Sequence, residues 1–211
     1  MKKAMTLTYE VDGALYVNIT NRCSNRCEFC IRNNDDGAYG SDSLWLEREP
    51  TAEEVLASIL SRDLDTYREL VFCGYGEPSY RLADCRRIAL AVKEKHPAMP
   101  VRINTNGQSD LILGENTAPM YEGAFDTVSV SLNTPSAEKY AQICHPVYGL
   151  DAFDAMLAFT KNVKNYVHNV VLSVVRESLS EEELAECLRI AEECGVELRV
   201  RTYIPPVQRG V

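Results

Sequence analysis

The sequence predicts an α/β protein built as a partial, open barrel of the TIM type, (β/α)6, with parallel strands in a single domain over residues 1–211. Three observations carry that expectation. Short strand-like runs alternate with longer helix-like ones, which implies parallel strands joined by helical crossovers. The strand runs number six, fewer than the eight that close a complete barrel. Most of them alternate apolar and polar residues, whereas strands covered by helices on both faces read as continuous apolar runs.

The strands are expected at "ALYVNIT" (14–20), "ELVFCG" (69–74), "PVRINT" (100–105), "DTVSVSL" (126–132), "NVVLSVV" (169–175) and "VELRVRTY" (196–203). Each is rich in β-branched or aromatic residues. Val101 and Ile103 oppose Arg102 and Asn104; Val128, Val130 and Leu132 oppose Ser129, Ser131 and Asn133. Leu198 and Val200 oppose Glu197, Arg199, Arg201 and Tyr203, and Leu15, Val17 and Ile19 oppose Tyr16, Asn18 and Thr20. The apolar sides should meet helices and the polar sides should line a cavity. "NVVLSVV", nearly all apolar, does not fit this pattern.

Helices begin at readable signals. Thr51 with Glu54, and Ser180 with Glu183, form capping boxes, and Pro135 is placed to open a helix. Residues 82–95 and 152–165 also read as helical, the first stopping before Pro97. Cys187 and Cys194 recur at helical spacing with Leu184, Ile190 and Ala191 and so read as core.

Composition narrows the function classes. A net charge of −9 disfavours a general nucleic-acid or anionic-membrane binder. No stretch approaches the ~20 apolar residues of a membrane span, and the start, "MKKAMTLTYEVDGALYV", lacks the apolar core of a leader. A cytoplasmic location is expected. The 8 cysteines, irregularly spaced for the most part, then read as reduced thiols and a metal site rather than a disulfide scaffold.

The metal site is "CSNRCEFC", with Cys23, Cys27 and Cys30 just after the first strand, on the rim where barrel active sites gather. Iron–sulfur clusters normally take four thiolates, so three leave one iron open to a small molecule. A zinc site with a distant fourth ligand, or three unrelated thiols, are the alternatives. The long connection that follows, residues 31–50, holds the only tryptophan, Trp45, and its length and place favour a functional role.

These residues resemble the radical S-adenosylmethionine (SAM) superfamily, whose CxxxCxxC carries an aromatic residue before the third cysteine, here Phe29. "CGYGEP" (73–78) is similar to the family's GGEP segment, with Tyr75 where a glycine is usual; "NTNG" (104–107), "SVSLN" (129–133) and "TYIPP" (202–206) are like family stretches at successive strand ends. The resemblance implies that Cys23, Cys27 and Cys30 hold a 4Fe–4S cluster and that SAM chelates the fourth iron. Gly74, Gly76 and Glu77 then meet its amino group, Asn104, Asn106, Ser131 and Asn133 its carboxylate and ribose, and the stretch at Tyr203 its adenine; Arg176 and Glu177, at the end of the fifth strand, either touch the ribose or form an ordinary surface ion pair. An electron from the cluster would cleave SAM to methionine and a 5′-deoxyadenosyl radical. More narrowly, "YVNITNRCSNRCEFCIRN", "GYGEP" and "ICHPVYG" look like the TatD-linked radical SAM proteins.

A flavodoxin or ferredoxin is the expected electron donor, and a TatD-type hydrolase or another protein is a further partner to expect. If Arg102, Arg199 and Arg201 face inward, they suit an anionic substrate, with Glu197 pairing one of them; bridging of barrel carboxylates is the competing reading. Cys73 and Cys144 are either idle buried thiols or hydrogen-atom donors or ligands. Activation of a glycyl-radical partner protein and a non-catalytic electron-transfer module stand as alternative functions.

Overall fold

The computed structural model describes residues 2–202. Strands β1 (Thr8–Val11), β2 (Ala14–Val17), β3 (Leu70–Phe72), β4 (Val101–Thr105), β5 (Thr127–Ser131), β6 (Asn169–Val175) and β7 (Glu197–Arg201) form one sheet in chain order. Neighbours from β2 to β7 are parallel. A sheet that adds each strand on the same side winds into a barrel wall, whereas a doubly wound sheet reverses direction midway. Among the described residues β1 and β7 have no outer neighbour, so the barrel is open.

The six expected strands are all present, although each except β6 is shorter than predicted. β1 is an addition. It pairs antiparallel with β2, Thr8 opposite Val17, across the two-residue turn Asp12-Gly13, whose φ angles are 47° and 73°. Asp-Gly is a strong signal for such a tight hairpin, because both turn residues need positive φ. Its first strand, "TYEV", is too short to read alone.

Helices α1 (Ala52–Leu60), α2 (Leu82–Lys95), α3 (Ser109–Leu113), α4 (Ala137–Cys144), α5 (Asp151–Val163) and α6 (Glu181–Cys194) complete the wall. Both capping boxes form as expected, at Thr51 with Glu54 and Ser180 with Glu183. Pro135 does not open a helix: α4 starts two residues later, where the Ser136 hydroxyl accepts the Lys139 amide and caps it.

The apolar strand faces and the helices share one core, with Leu15, Val17, Val101, Ile103, Val128 and Val130 buried together against Ile59, Ile88, Met156 and Phe159. The run "NVVLSVV" also obeys the alternation. Val170, Leu172 and Val174 join that core, while Val175 is turned to the opposite face and lines the cavity.

Replacing Ser180 by alanine removes the cap of the Glu183 amide at the start of α6. Chemical denaturation should show a loss of about 1 kcal/mol with an unchanged m-value.

Candidate active site

The inward strand faces and the loops above them enclose a cavity of about 450 Å³. Its lining includes Cys23, Cys27, Phe29, Cys30, Gly74, Gly76, Glu77, Arg102, Asn104, Asn106, Ser131, Asn133, Arg199 and Arg201. Alternation along the strands thus brings the expected polar residues to one space. One expectation is not met there. Arg176 is not among the lining residues: it donates to the Leu179 carbonyl at 2.9 Å and pairs with Glu181. Tyr203 lies outside the described residues.

The thiol loop is fixed by close backbone contact with the segment after β3. The Glu77 amide donates to the Arg22 carbonyl at 2.7 Å. A Cβ on Gly74 would meet Asn18 Oδ1 at 2.2 Å, and one on Gly76 would meet the Thr20 carbonyl oxygen at the same distance. Neither glycine tolerates a side chain. Tyr75, between them, explains the departure from GGEP: it is buried with Tyr9, Val11, Ala38 and Leu44, and its hydroxyl donates to the Asp35 carbonyl at 2.7 Å. Trp45 packs edge-on against its ring, centroids 5.2 Å apart. The side chain therefore faces the 31–50 loop, which walls the cavity with Ile31, Arg32, Asn34, Ala38, Tyr39 and Leu44.

A buried polar network holds the other side of the thiol loop. Asn25 donates to the Tyr140 hydroxyl at 2.9 Å and accepts from Gln108 at the same distance, while Asn106 donates to Ser24 Oγ at 2.7 Å. The Asn25 amide donates to Cys23 Sγ at 3.4 Å, and Arg32 Nε donates to Cys30 Sγ at 3.2 Å. Sequence reasoning did not single out Ser24, Asn25, Arg32, Gln108 or Tyr140. Only the three that lie inside or beside the cysteine motif had a positional signal.

Burial, then the nearby Glu77 charge, push the Cys23 thiol up to about 12. A hydrogen bond with Cys144, then burial, raise that of Cys27. Both thiols are protonated at neutral pH until a metal binds, so assembly of a metal centre releases protons. Cys144 itself is buried and lies within 3.5 Å of the Asn133 side-chain amide. Cys73 does face the cavity, its thiol raised by burial and opposed by a hydrogen bond with Asn104.

Glu77 carries the strongest electrostatic demand in the site. Only 5% exposed, it accepts from the Ser79 amide at 3.0 Å, the Thr105 hydroxyl at 2.7 Å and the Asn106 amide at 2.7 Å. All three donors are neutral, and among the described residues no cation pairs with it. Burial raises its pKa, with those hydrogen bonds in opposition. A buried carboxylate of this kind is stabilised by a cation delivered from the cavity. Asn104 Oδ1 is likewise buried without a partner. These two oxygens fit a ligand that carries an ammonium group and further donors.

The three thiols line the cavity without converging on one point. Among the described residues no three His, Cys, Asp or Glu side chains stand close enough to hold one metal ion. A mononuclear site needs its ligands at one point, whereas thiolates around a cluster bind separate irons.

Of the three arginines, Arg102 is already neutralised: its Nε and Nη2 donate to the Glu69 carboxylate at 3.0 and 2.9 Å. Glu197, expected as a partner, is exposed on the edge strand instead. Arg199 and Arg201 line the cavity with no carboxylate partner among the described residues. Both are exposed on this edge strand, so the lowering of the Arg201 pKa by desolvation and by Arg199, against Cys73, Tyr39 and Tyr16, is screened by water.

A barrel rim that carries three thiols beside a ligand cavity defines a cluster-binding class of α/β protein. The profile of the Radical SAM superfamily matches residues 17–196, and the chain belongs to that superfamily. Its members bind a 4Fe–4S cluster and S-adenosylmethionine, and those are the cofactors of this site. GTP 3′,8-cyclase of Clostridium perfringens strain 13 is 22% identical over 90% of this chain and 55% of its own length. The tungsten-containing aldehyde ferredoxin oxidoreductase cofactor-modifying protein of Pyrococcus furiosus is 24% identical over 92% of this chain and 52% of its own. The chain spans about half the length of the curated relatives it matches. The fold is shared with Streptococcus suis SuiB bound to its precursor peptide SuiA, with a TM-score of 0.67 and 17% identity over 94% of this chain and 42% of that one.

A Glu77→Gln substitution keeps the volume but removes the charge and sets an amide against one of the backbone donors. SAM affinity, measured by anaerobic calorimetry, should fall on the order of tenfold or more, while iron content stays unchanged.

Proposed function

We propose that this chain is a catalytic radical SAM enzyme acting on a carboxylate- or phosphate-bearing substrate. The buried Glu77 carboxylate, with no cation beside it among the described residues, is the observation that carries the SAM-binding part of this reading. The bound cofactors supply reductive cleavage of SAM to methionine and a 5′-deoxyadenosyl radical, which removes hydrogen from the substrate. The chain supplies position and shelter. Cys23, Cys27 and Cys30 hold the cluster, Glu77 receives the SAM ammonium group, and Asn104, Ser131 and Asn133 offer polar groups to the rest of SAM.

The anionic substrate follows from Arg199 and Arg201, two cations on one strand that face the cavity without a counter-charge among the described residues. Both are exposed at the open edge of the barrel, where water already screens them, and an anion entering the cavity meets two guanidinium groups on one strand. A relative named for GTP is consistent with a phosphate-bearing ligand. The closer likeness to TatD-linked radical SAM proteins rests on the motifs at 16–33, 74–78 and 143–149 and forms part of the same proposal.

After anaerobic reconstitution, addition of a reductant and SAM should yield 5′-deoxyadenosine, and Cys27→Ala should abolish it. A fully loaded cluster that leaves SAM intact would refute the catalytic reading. The Arg199→Ala, Arg201→Ala double variant should cleave SAM as before but lose about tenfold or more in kcat/KM for the substrate, chiefly through KM.

A further inference from the structure

The three thiols stand in three different environments. Cys23 Sγ accepts a backbone amide, from Asn25 at 3.4 Å, and Cys27 shares a hydrogen bond with the Cys144 thiol. Cys30 alone, among the described residues, receives a charged donor: Arg32 Nε donates to its Sγ at 3.2 Å. The guanidinium reaches further than that one contact. Its Nη2 donates to the Asn25 carbonyl at 3.3 Å, which closes the loop from Cys23 to Arg32 on itself. Burial lowers its pKa, while Cys30, Cys23 and Cys27 together raise it above the ordinary value, so one cation acts on all three thiols. A guanidinium keeps its charge throughout the pH range of folded proteins. Among the described residues no carboxylate pairs with this one.

The cation is held from its far side by the 31–50 loop. The Trp45 ring lies against it, with the centroid 5.8 Å from Arg32 Cζ, near the outer limit of a cation–π contact. Trp45 in turn packs edge-on against Tyr75, the residue that stands in place of a glycine in the GGEP segment. Cys30, Arg32, Trp45 and Tyr75 thus form one line of contacts from a ligand sulfur to the segment that carries Glu77.

We infer that Arg32 sets the reduction potential of the cluster, making it easier to reduce than the same three thiols would without a cation, and that Trp45 holds the guanidinium in place for that task. The inference rests on the reading in which Cys23, Cys27 and Cys30 hold a 4Fe–4S cluster. Reduction adds one electron, from an external one-electron reductant, and transfers no atom. The added negative charge spreads onto the sulfurs. An N–H donor and a fixed positive charge beside one of them stabilise the reduced state more than the oxidised one, and hydrogen bonds to cluster sulfurs are among the means by which proteins set such potentials. Arg22 and Arg26 belong to the same loop but are exposed, where water screens them.

The test uses the full chain with its cluster reconstituted anaerobically, and iron and sulfide content checked for each variant. The potential is read by titration with dithionite and viologen mediators, followed by the electron paramagnetic resonance signal of the reduced cluster. Arg32→Gln, which keeps an N–H donor but not the charge, should shift the equilibrium about tenfold against the reduced state, a potential lower by about 59 mV for one electron. Arg32→Lys keeps the charge and should recover part of that shift. Trp45→Leu should lower the potential by less and add nothing in an Arg32→Gln background, whereas Arg26→Gln should leave it at the wild-type value. An Arg32→Gln potential equal to that of the wild type would overturn the assignment, and with weakened SAM affinity by calorimetry it would give the guanidinium to SAM instead. So would an Arg26→Gln shift as large as that of Arg32→Gln, which would make the effect one of net charge. If Arg32→Gln loads poorly, Arg32→Lys and Trp45→Leu decide, since both must lie below the wild-type potential. A wild type that takes up no four-iron cluster defeats this inference together with the reading it rests on. A loaded wild type that leaves SAM intact defeats the catalytic reading alone, and the potentials still decide the role of Arg32.

Discussion

The site depends on a close approach between two backbones. Residues 74–77 lie directly on residues 18–22, with Gly74 against Asn18, Gly76 against the Thr20 carbonyl, and the Glu77 amide donating to the Arg22 carbonyl. Because nothing intervenes, the loop that bears the thiols and the segment that bears the carboxylate are set by the same contact. Glu77 extends the constraint to the loop after β4 through Thr105 and Asn106, and Asn106 returns it to the thiol loop through Ser24. The thiol loop, Glu77 and the loop after β4 are thereby one hydrogen-bonded assembly, the kind of arrangement by which preorganised sites avoid reorganisation during chemistry.

Charge inside the cavity is distributed unevenly along the wall. The Arg102–Glu69 pair is bidentate with little exposure, and removing one member of such a pair costs about 3–5 kcal/mol. The pair ties β4 to the residue that precedes β3. Farther round, Arg199 and Arg201 lack such a partner among the described residues. The same residue type thus performs two tasks, and the difference is set by whether a glutamate stands on an adjacent strand end.

Much of this was legible in the sequence. Strict alternation marked the cavity-facing residues of β4 and β5, and the cysteine spacing marked the thiol loop. What escaped had physical reasons. β1 is four residues long, and its clearest signal lay in the Asp12-Gly13 turn rather than in the strand. α4 was displaced because Ser136 supplies a cap that Pro135 lacks. The neutralisation of Arg102 by Glu69 joins residues 33 apart, and the Asn25–Gln108–Tyr140 network joins three separate elements. Contacts of that kind are set by tertiary register, which a single sequence does not display.

Tyr75 shows what a departure from a motif can contribute. Where a second glycine would leave empty space, its ring and hydroxyl fasten the 31–50 segment to the strand end, helped by Leu44 and Leu46, both within 1% of full burial. A wall anchored in this way is a standing partition and not a lid. In the proposed enzyme, selectivity at such a mouth comes from the shape of an aperture, and shelter for a reactive species from masonry that the fold itself has already fastened.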